Sequence, residues 1–99
     1  MILTTGDFAH EEVKGIVCGE VVLGNSVAKD LKASVKSFTG GRAEEYEEGL
    51  KEARLAALKD MEAEAEALGA EAVIAVSIDY EIIAEGSMMV VTATGTAVA

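Results

Sequence analysis

The sequence predicts an α+β fold in two layers, one long helix packed on a small sheet, and three observations predict it. A Val- and Ile-rich run spans Val13–Leu23, apolar residues keep helical spacing from Ala43 to Leu68, and the period drops to two after Gly69. At 99 residues the chain has room for one core, so a single domain over 1–99 is expected.

In the first run Val13, Gly15, Val17, Gly19, Val21 and Leu23 share one parity, with Lys14, Ile16, Cys18, Glu20 and Val22 on the other. Apolar residues on both sides indicate a strand with both faces in use. Its two glycines on one face leave room for a close backbone approach. Gly24-Asn25 ends it. Ser26 then caps a short helix with a stripe of Val27, Leu31, Val35 and Phe38, and Lys29, Lys32 and Lys36 fall on another side as a solvated row.

Phe38-Thr39-Gly40-Gly41-Arg42 breaks that helix. Tyr46, Leu50, Ala53, Ala57, Met61, Ala65 and Leu68 then mark about seven turns of a long helix. Glu44 and Glu45 suit its positive end, Glu47 stands one turn from Lys51, and Gly69 is placed to stop it. Gly49 in the interior costs about 1 kcal/mol relative to alanine, which a close packing contact would offset.

Beyond Gly69, Ala72, Ile74, Val76, Ile78 and Tyr80 alternate with Val73, Ala75, Ser77, Asp79 and Glu81, the pattern of a half-buried strand. Glu85-Gly86 marks a turn, and Ser87 to Val98 reads as a last strand forming a hairpin with it. The helical stretch is expected to cross over the sheet to a parallel partner before the chain doubles back. The second face of the sheet then has no helix to cover it, which points to self-association.

Composition narrows the function. With 8 Lys+Arg against 18 Asp+Glu the formal charge is −10, which repels phosphate backbones and anionic lipid, so neither nucleic acid nor a membrane is an expected partner. No signal-like or membrane-spanning run is visible, and a cytoplasmic location is expected. Hydrophobic residues make up 51% of the chain but aromatics only 4%, so the core is built from small side chains and an isolated protomer has a narrow stability margin. A homo-oligomer would widen it.

Candidate chemistry is sparse. Cys18 is the single soft ligand and His10 the single imidazole, too few for a metal site in one protomer, although symmetry would multiply Cys18 or Glu20 around an axis. The plainer readings are a small buried strand residue for Cys18 and an exposed polar segment for His10. Glu20, Asp79 and Glu81 can meet across strands to bind a hard cation or move a proton, against the plainer reading of a solvated strand face. Gly40, Gly41 and Arg42 offer backbone amides and a positive charge to an anion at a helix start, but Glu44, Glu45, Glu47 and Glu48 crowd the same end and favour a loop-and-cap role. No serine elbow, catalytic triad or dinucleotide fingerprint is present.

Leu23-Gly24-Asn25, Gly40-Gly41-Arg42 with Tyr46, Ala67-Leu68-Gly69-Ala70 leading into Ala72-Val73, Ile78-Asp79-Tyr80-Glu81, Gly86-Ser87-Met88 and Thr94-Gly95-Thr96-Ala97-Val98 together resemble the YbjQ-like family over nearly the whole chain. The resemblance implies a dodecin-like β-α-β-β protomer assembled as a pentameric ring, with short extra strands joining neighbours. It also implies the family's heavy-metal-binding label. Cys18 departs from the threonine-like residue expected at its place, so no family metal site transfers to it, and no catalytic residue transfers at all. The reading that follows is a non-enzymatic homo-oligomer binding a small ligand or a divalent metal ion between protomers. The alternatives are a small enzyme with an interface site using Glu20, Asp79 and Arg42, and a purely structural or partner-binding ring.

Overall fold

The structure, a computed structural model, describes residues 1–23, 44–83 and 88–99. The expected short helix from Ser26, the basic row Lys29, Lys32 and Lys36, the breaker at Gly40-Gly41-Arg42 and the turn at Glu85-Gly86 lie outside these residues. The elements are β1 (Ile2–Leu3), β2 (Val13–Leu23), α1 (Glu44–Ala67), β3 (Ala72–Ile83) and β4 (Met88–Val98). They form an α+β unit in which α1 packs on a four-stranded sheet of order β1-β3-β4-β2.

Both β2 and β3 run antiparallel to β4, so they are parallel to each other, as a crossover requires, but they are not neighbours. The hairpin strand β4 occupies the place between them. β1, which no sequence pattern announced, adds in parallel to the edge of β3 through Ile2 opposite Ala72 and Leu3 opposite Val73. The chain must then travel from one edge of the sheet to the other between Thr4 and Glu12. Hydrogen bonds pin both ends of that connection: Thr4 N–H donates to the Val73 carbonyl, and Glu12 and Ala99 exchange a pair of 2.8 Å bonds.

The side chains of the core come from one face of the sheet and one stripe of α1. Val17, Val73, Met89, Val91, Ala93 and Ala97 meet Ala53, Ala57, Met61 and Ala65, all buried. Alanine at three of the four helix positions lets α1 lie close to the strands. The approach is tightest at Gly19, where a built Cβ would collide with the Ala57 carbonyl oxygen and sit 2.5 Å from the Met61 amide nitrogen. The glycine face of β2 is thus the helix-facing one, and backbone meets backbone there.

Gly69 ends α1 as expected. It takes φ 77°, its N–H donates to the Glu66 carbonyl, and the Ala70 N–H reaches back to Ala65, the paired bonds of a Schellman stop.

The alternation read for β3 does not hold along its length. Ala75 adopts φ 53°, and the register with β4 slips between Ile74 and Ser77, so Ala75 and Val76 together oppose one residue. This bulge exchanges the faces. Val73 before it and Val76 and Ile78 after it all pack against the core, whereas Ile74 and Ser77 face the other way. A Cβ on Gly95 would meet Val73 and Val76 at once, which places both on the helix side. The N-terminal segment supports the distortion: Ala75 N–H donates to the Gly6 carbonyl and Val76 N–H to that of Thr4.

Candidate functional site

The sheet face turned away from α1 carries the polar side chains that sequence singled out. Register arranges them in rows across β2, β4 and β3: Ile16–Thr96–Ile74, then Cys18–Thr94–Ser77, then Glu20–Thr92–Asp79, then Val22–Val90–Glu81. Neighbouring strands stand about 4.8 Å apart, so the Glu20 and Asp79 backbones lie roughly 10 Å from each other with Thr92 between them. Side chains reaching inward from both sides can meet over that threonine.

Glu20, Asp79, Ser77 and Glu81 are exposed, while Cys18, Thr92, Thr94 and Thr96 are half-buried between their neighbours. At the far end Ala72 and Val98, on the same side by register, are fully buried, which closes the face there. Three carboxylates stand in these rows with no cationic side chain among them. The face is therefore negative, lined with hydroxyl groups, and framed by the exposed apolar residues Ile16 and Val22.

Glu20 has a second link, through its backbone. β2 is the edge strand, and the Glu20 N–H points away from β4 to donate to Asp60 Oδ2 on α1 at 3.1 Å. The helix thereby fixes the strand beneath the Glu20 carboxylate from the side.

The remaining candidates lie elsewhere. His10 sits in the N-terminal connection, its Nδ1 next to the Phe8 carbonyl and 3.6 Å from Asp7 Oδ1. That places it in none of the rows. Gly40, Gly41 and Arg42 lie outside the described residues, so the structure brings together only Glu20 and Asp79 of the proposed set. The column Thr92, Thr94 and Thr96, which gives the face its hydroxyl lining, was not picked out from sequence as functional. Its signal was the threonine at every second position, read there only as strand alternation.

A heavy metal needs several soft or charged donors within about 2–2.6 Å of one point. Among the described residues no three His, Cys, Asp or Glu side chains are grouped to hold an ion. Cys18 and Glu20 lie two positions apart on one strand, about 7 Å along it, and Asp79 lies two strands away. The described residues of one protomer do not supply a closed metal site. Among the described residues no helix is long and apolar enough to cross a membrane.

A family model described as "Putative heavy-metal-binding" matches residues 1–99. A UPF0145 protein of Listeria grayi is 52% identical over 88 residues, 88% of this chain and 83% of that protein. One from Acetivibrio thermocellus is 50% identical over the same shares. A crystal structure from Pediococcus pentosaceus, of a protein of unknown function in the DUF74 family, matches with a TM-score of 0.60 and covers 99% of this chain and 95% of that one. At 16% identity that likeness concerns the fold alone. With its whole length matched by the family model and relatives sharing half its residues, the chain belongs to the YbjQ-like family.

Proposed function

We propose that the chain is a non-enzymatic cytoplasmic homo-oligomer, a pentameric ring, that holds a small ligand or a divalent metal ion between protomers. The observation that carries this reading is the row Glu20–Thr92–Asp79, whose two carboxylate residues are exposed on the sheet face turned away from α1. Two carboxylates flanking a hydroxyl on a rigid strand triplet suit a cation or a hydrogen-bonding ligand. The described residues of one protomer offer too few donors, and rotational symmetry would supply the rest by repeating Glu20, Asp79 and Cys18 around an axis. The family's description points to the same class of ligand.

Native mass spectrometry of the untagged full chain, purified from cells grown with trace metals, tests it. The expected spectrum is a multiple of the 10.2 kDa chain with additional bound mass. A bare monomer overturns the reading. An oligomer without added mass favours the purely structural ring. The shared row of Glu20 and Asp79 also keeps the interface enzyme in view, with Arg42 as its third member. That reading requires turnover of a substrate to be lost in Arg42→Ala while the subunit count stays the same.

A further inference from the structure

β3 keeps two registers against β4. Ahead of the bulge Ile74 faces Thr96, and past it Ser77 faces Thr94, one residue out of step. If the first register ran on without a bulge, Ser77 would face Ala93, Asp79 would face Val91 and Glu81 would face Met89, all on the helix side of the sheet. Ile78 would then take the place of Asp79 opposite Thr92. A slip of one residue exchanges the faces of a strand in this way. Burial separates the two registers less than it does elsewhere in the fold. The places opposite Val91 and Met89 are held by Tyr80 at 46% and Ile82 at 65% exposure, so Asp79 and Glu81 would enter positions open to solvent. The slip gives up the half-buried packing of Val76 and Ile78 on the core, which Ala75 and Ser77 would replace. It relieves the left-handed backbone of Ala75, at φ 53°, which a residue with a Cβ avoids.

The N-terminal segment tips this balance. In a regular strand consecutive N–H groups point to opposite edges. Ala75 and Val76 nonetheless both donate to that segment, at 2.9 Å to the Gly6 carbonyl and 3.0 Å to the Thr4 carbonyl. Both bonds exist together only while the bulge stands. The acceptors are themselves held: Gly6 N–H donates to Thr4 Oγ1 at 3.1 Å, Thr4 N–H donates to the Val73 carbonyl, and Leu3 packs against the core.

We infer that residues 3–6 latch a one-residue register switch in β3, and so decide whether the row reads Glu20–Thr92–Asp79 or Glu20–Thr92–Ile78. Latched, two carboxylates flank Thr92. Slipped, Glu20 faces an isoleucine across it, and a cation loses one of its two charged donors in the row. That consequence for a ligand rests on the function proposed above, whereas the register change does not. A ligand bridging Glu20 and Asp79 binds the latched register alone, and by linkage it holds the N-terminal segment on β3.

Nuclear magnetic resonance of the isotope-labelled full chain, with no ligand added, tests it by reading which residue stands directly opposite Thr92. Cross-strand Overhauser contacts identify Asp79 in the latched register and Ile78 in the slipped one, and saturation transfer measures the minor population. Thr4→Pro removes both the N–H bond to Val73 and the hydroxyl that holds Gly6, and Ala75→Val sets a β-branched residue at positive φ. Each should raise the slipped fraction about tenfold, from about 1% in the parent. Adding Ala75→Gly, which in place of alanine relieves the bulge, to Thr4→Pro should return the fraction to within about threefold of the parent. Circular dichroism reports folding, and because Ala75 is exposed, Ala75→Val carries the test if Thr4→Pro does not fold. Folded variants that keep Asp79 opposite Thr92 with no second population overturn the switch. Loss of the Asp79 contacts without appearance of the Ile78 set shows fraying in place of slipping and overturns it equally. Either result leaves the proposed oligomer and its ligand untouched, and a parent that is monomeric by native mass spectrometry yet slips as expected overturns that reading and supports the switch.

Discussion

Replacing Gly19 by alanine puts a methyl group where the backbone of α1 already stands. The new Cβ would overlap the Ala57 carbonyl oxygen and crowd the Met61 amide nitrogen. Neither atom is the end of a flexible side chain, so relief requires α1 to lift from β2 by about 1 Å. Overpacking of this kind costs typically 1–3 kcal/mol. Lifting the helix also loosens Ala53, Ala57, Met61 and Ala65 from the strands, and a gap of that size forfeits a quarter to a half of each contact's attraction. The total is placed at about 3 kcal/mol, which lowers the melting temperature by roughly 12–24 °C in a domain near 100 residues. Urea unfolding followed by far-ultraviolet circular dichroism measures it, at one fixed protein concentration because association adds to apparent stability. Gly6→Ala is the control, since a Cβ there would meet only Thr4 Oγ1, at 3.7 Å, and should change stability by less than about 0.5 kcal/mol. A loss below about 1 kcal/mol for Gly19→Ala would refute the close approach of helix and strand.

Other substitutions probe other joints by the same unfolding assay. Met61 is the largest fully buried side chain, and Met61→Ala should cost about 3 kcal/mol, within the usual range for such cavities. Gly69→Ala forces a Cβ into the left-handed region at φ 77° and should cost about 1 kcal/mol, with Gly69→Asn costing less. Ala75→Gly should be neutral or stabilise by up to about 1 kcal/mol, because the native φ of 53° already strains alanine. A clear destabilisation by Ala75→Gly would show that the bulge is not strained as described.

Most of the architecture was legible because its signals are local. The glycine-punctuated Val and Ile run set the limits of β2 at Val13 and Leu23, and the 3.6-residue spacing with Gly69 as a stop set those of α1 to within a residue at each end. Features that depend on distant parts of the chain were not legible. β1 is two residues long and exists because β3 offers it an edge, so no periodicity could announce it. Alternation says that β3 and β4 pair but not on which side of β3 the hairpin lands, and β4 took the place beside β2. The bulge escaped because Ala75 is neither glycine nor asparagine, and its left-handed backbone is held by bonds from the N-terminal segment. The candidate site divides the same way. Parity put Glu20 away from the glycine face of β2, but only the register of three strands set Asp79 in its row.

The bond from Glu20 N–H to Asp60 has a meaning for the protein's life before it is fully folded. An eleven-residue apolar edge strand is a template on which a foreign strand can grow. Here the group that interrupts the middle of that template sits on the helix that also closes the core. Until α1 docks, the edge is open along its length, and once it docks the edge is interrupted. Packing and edge protection are thus joined: the helix that closes the core also occupies a backbone donor in the middle of that edge.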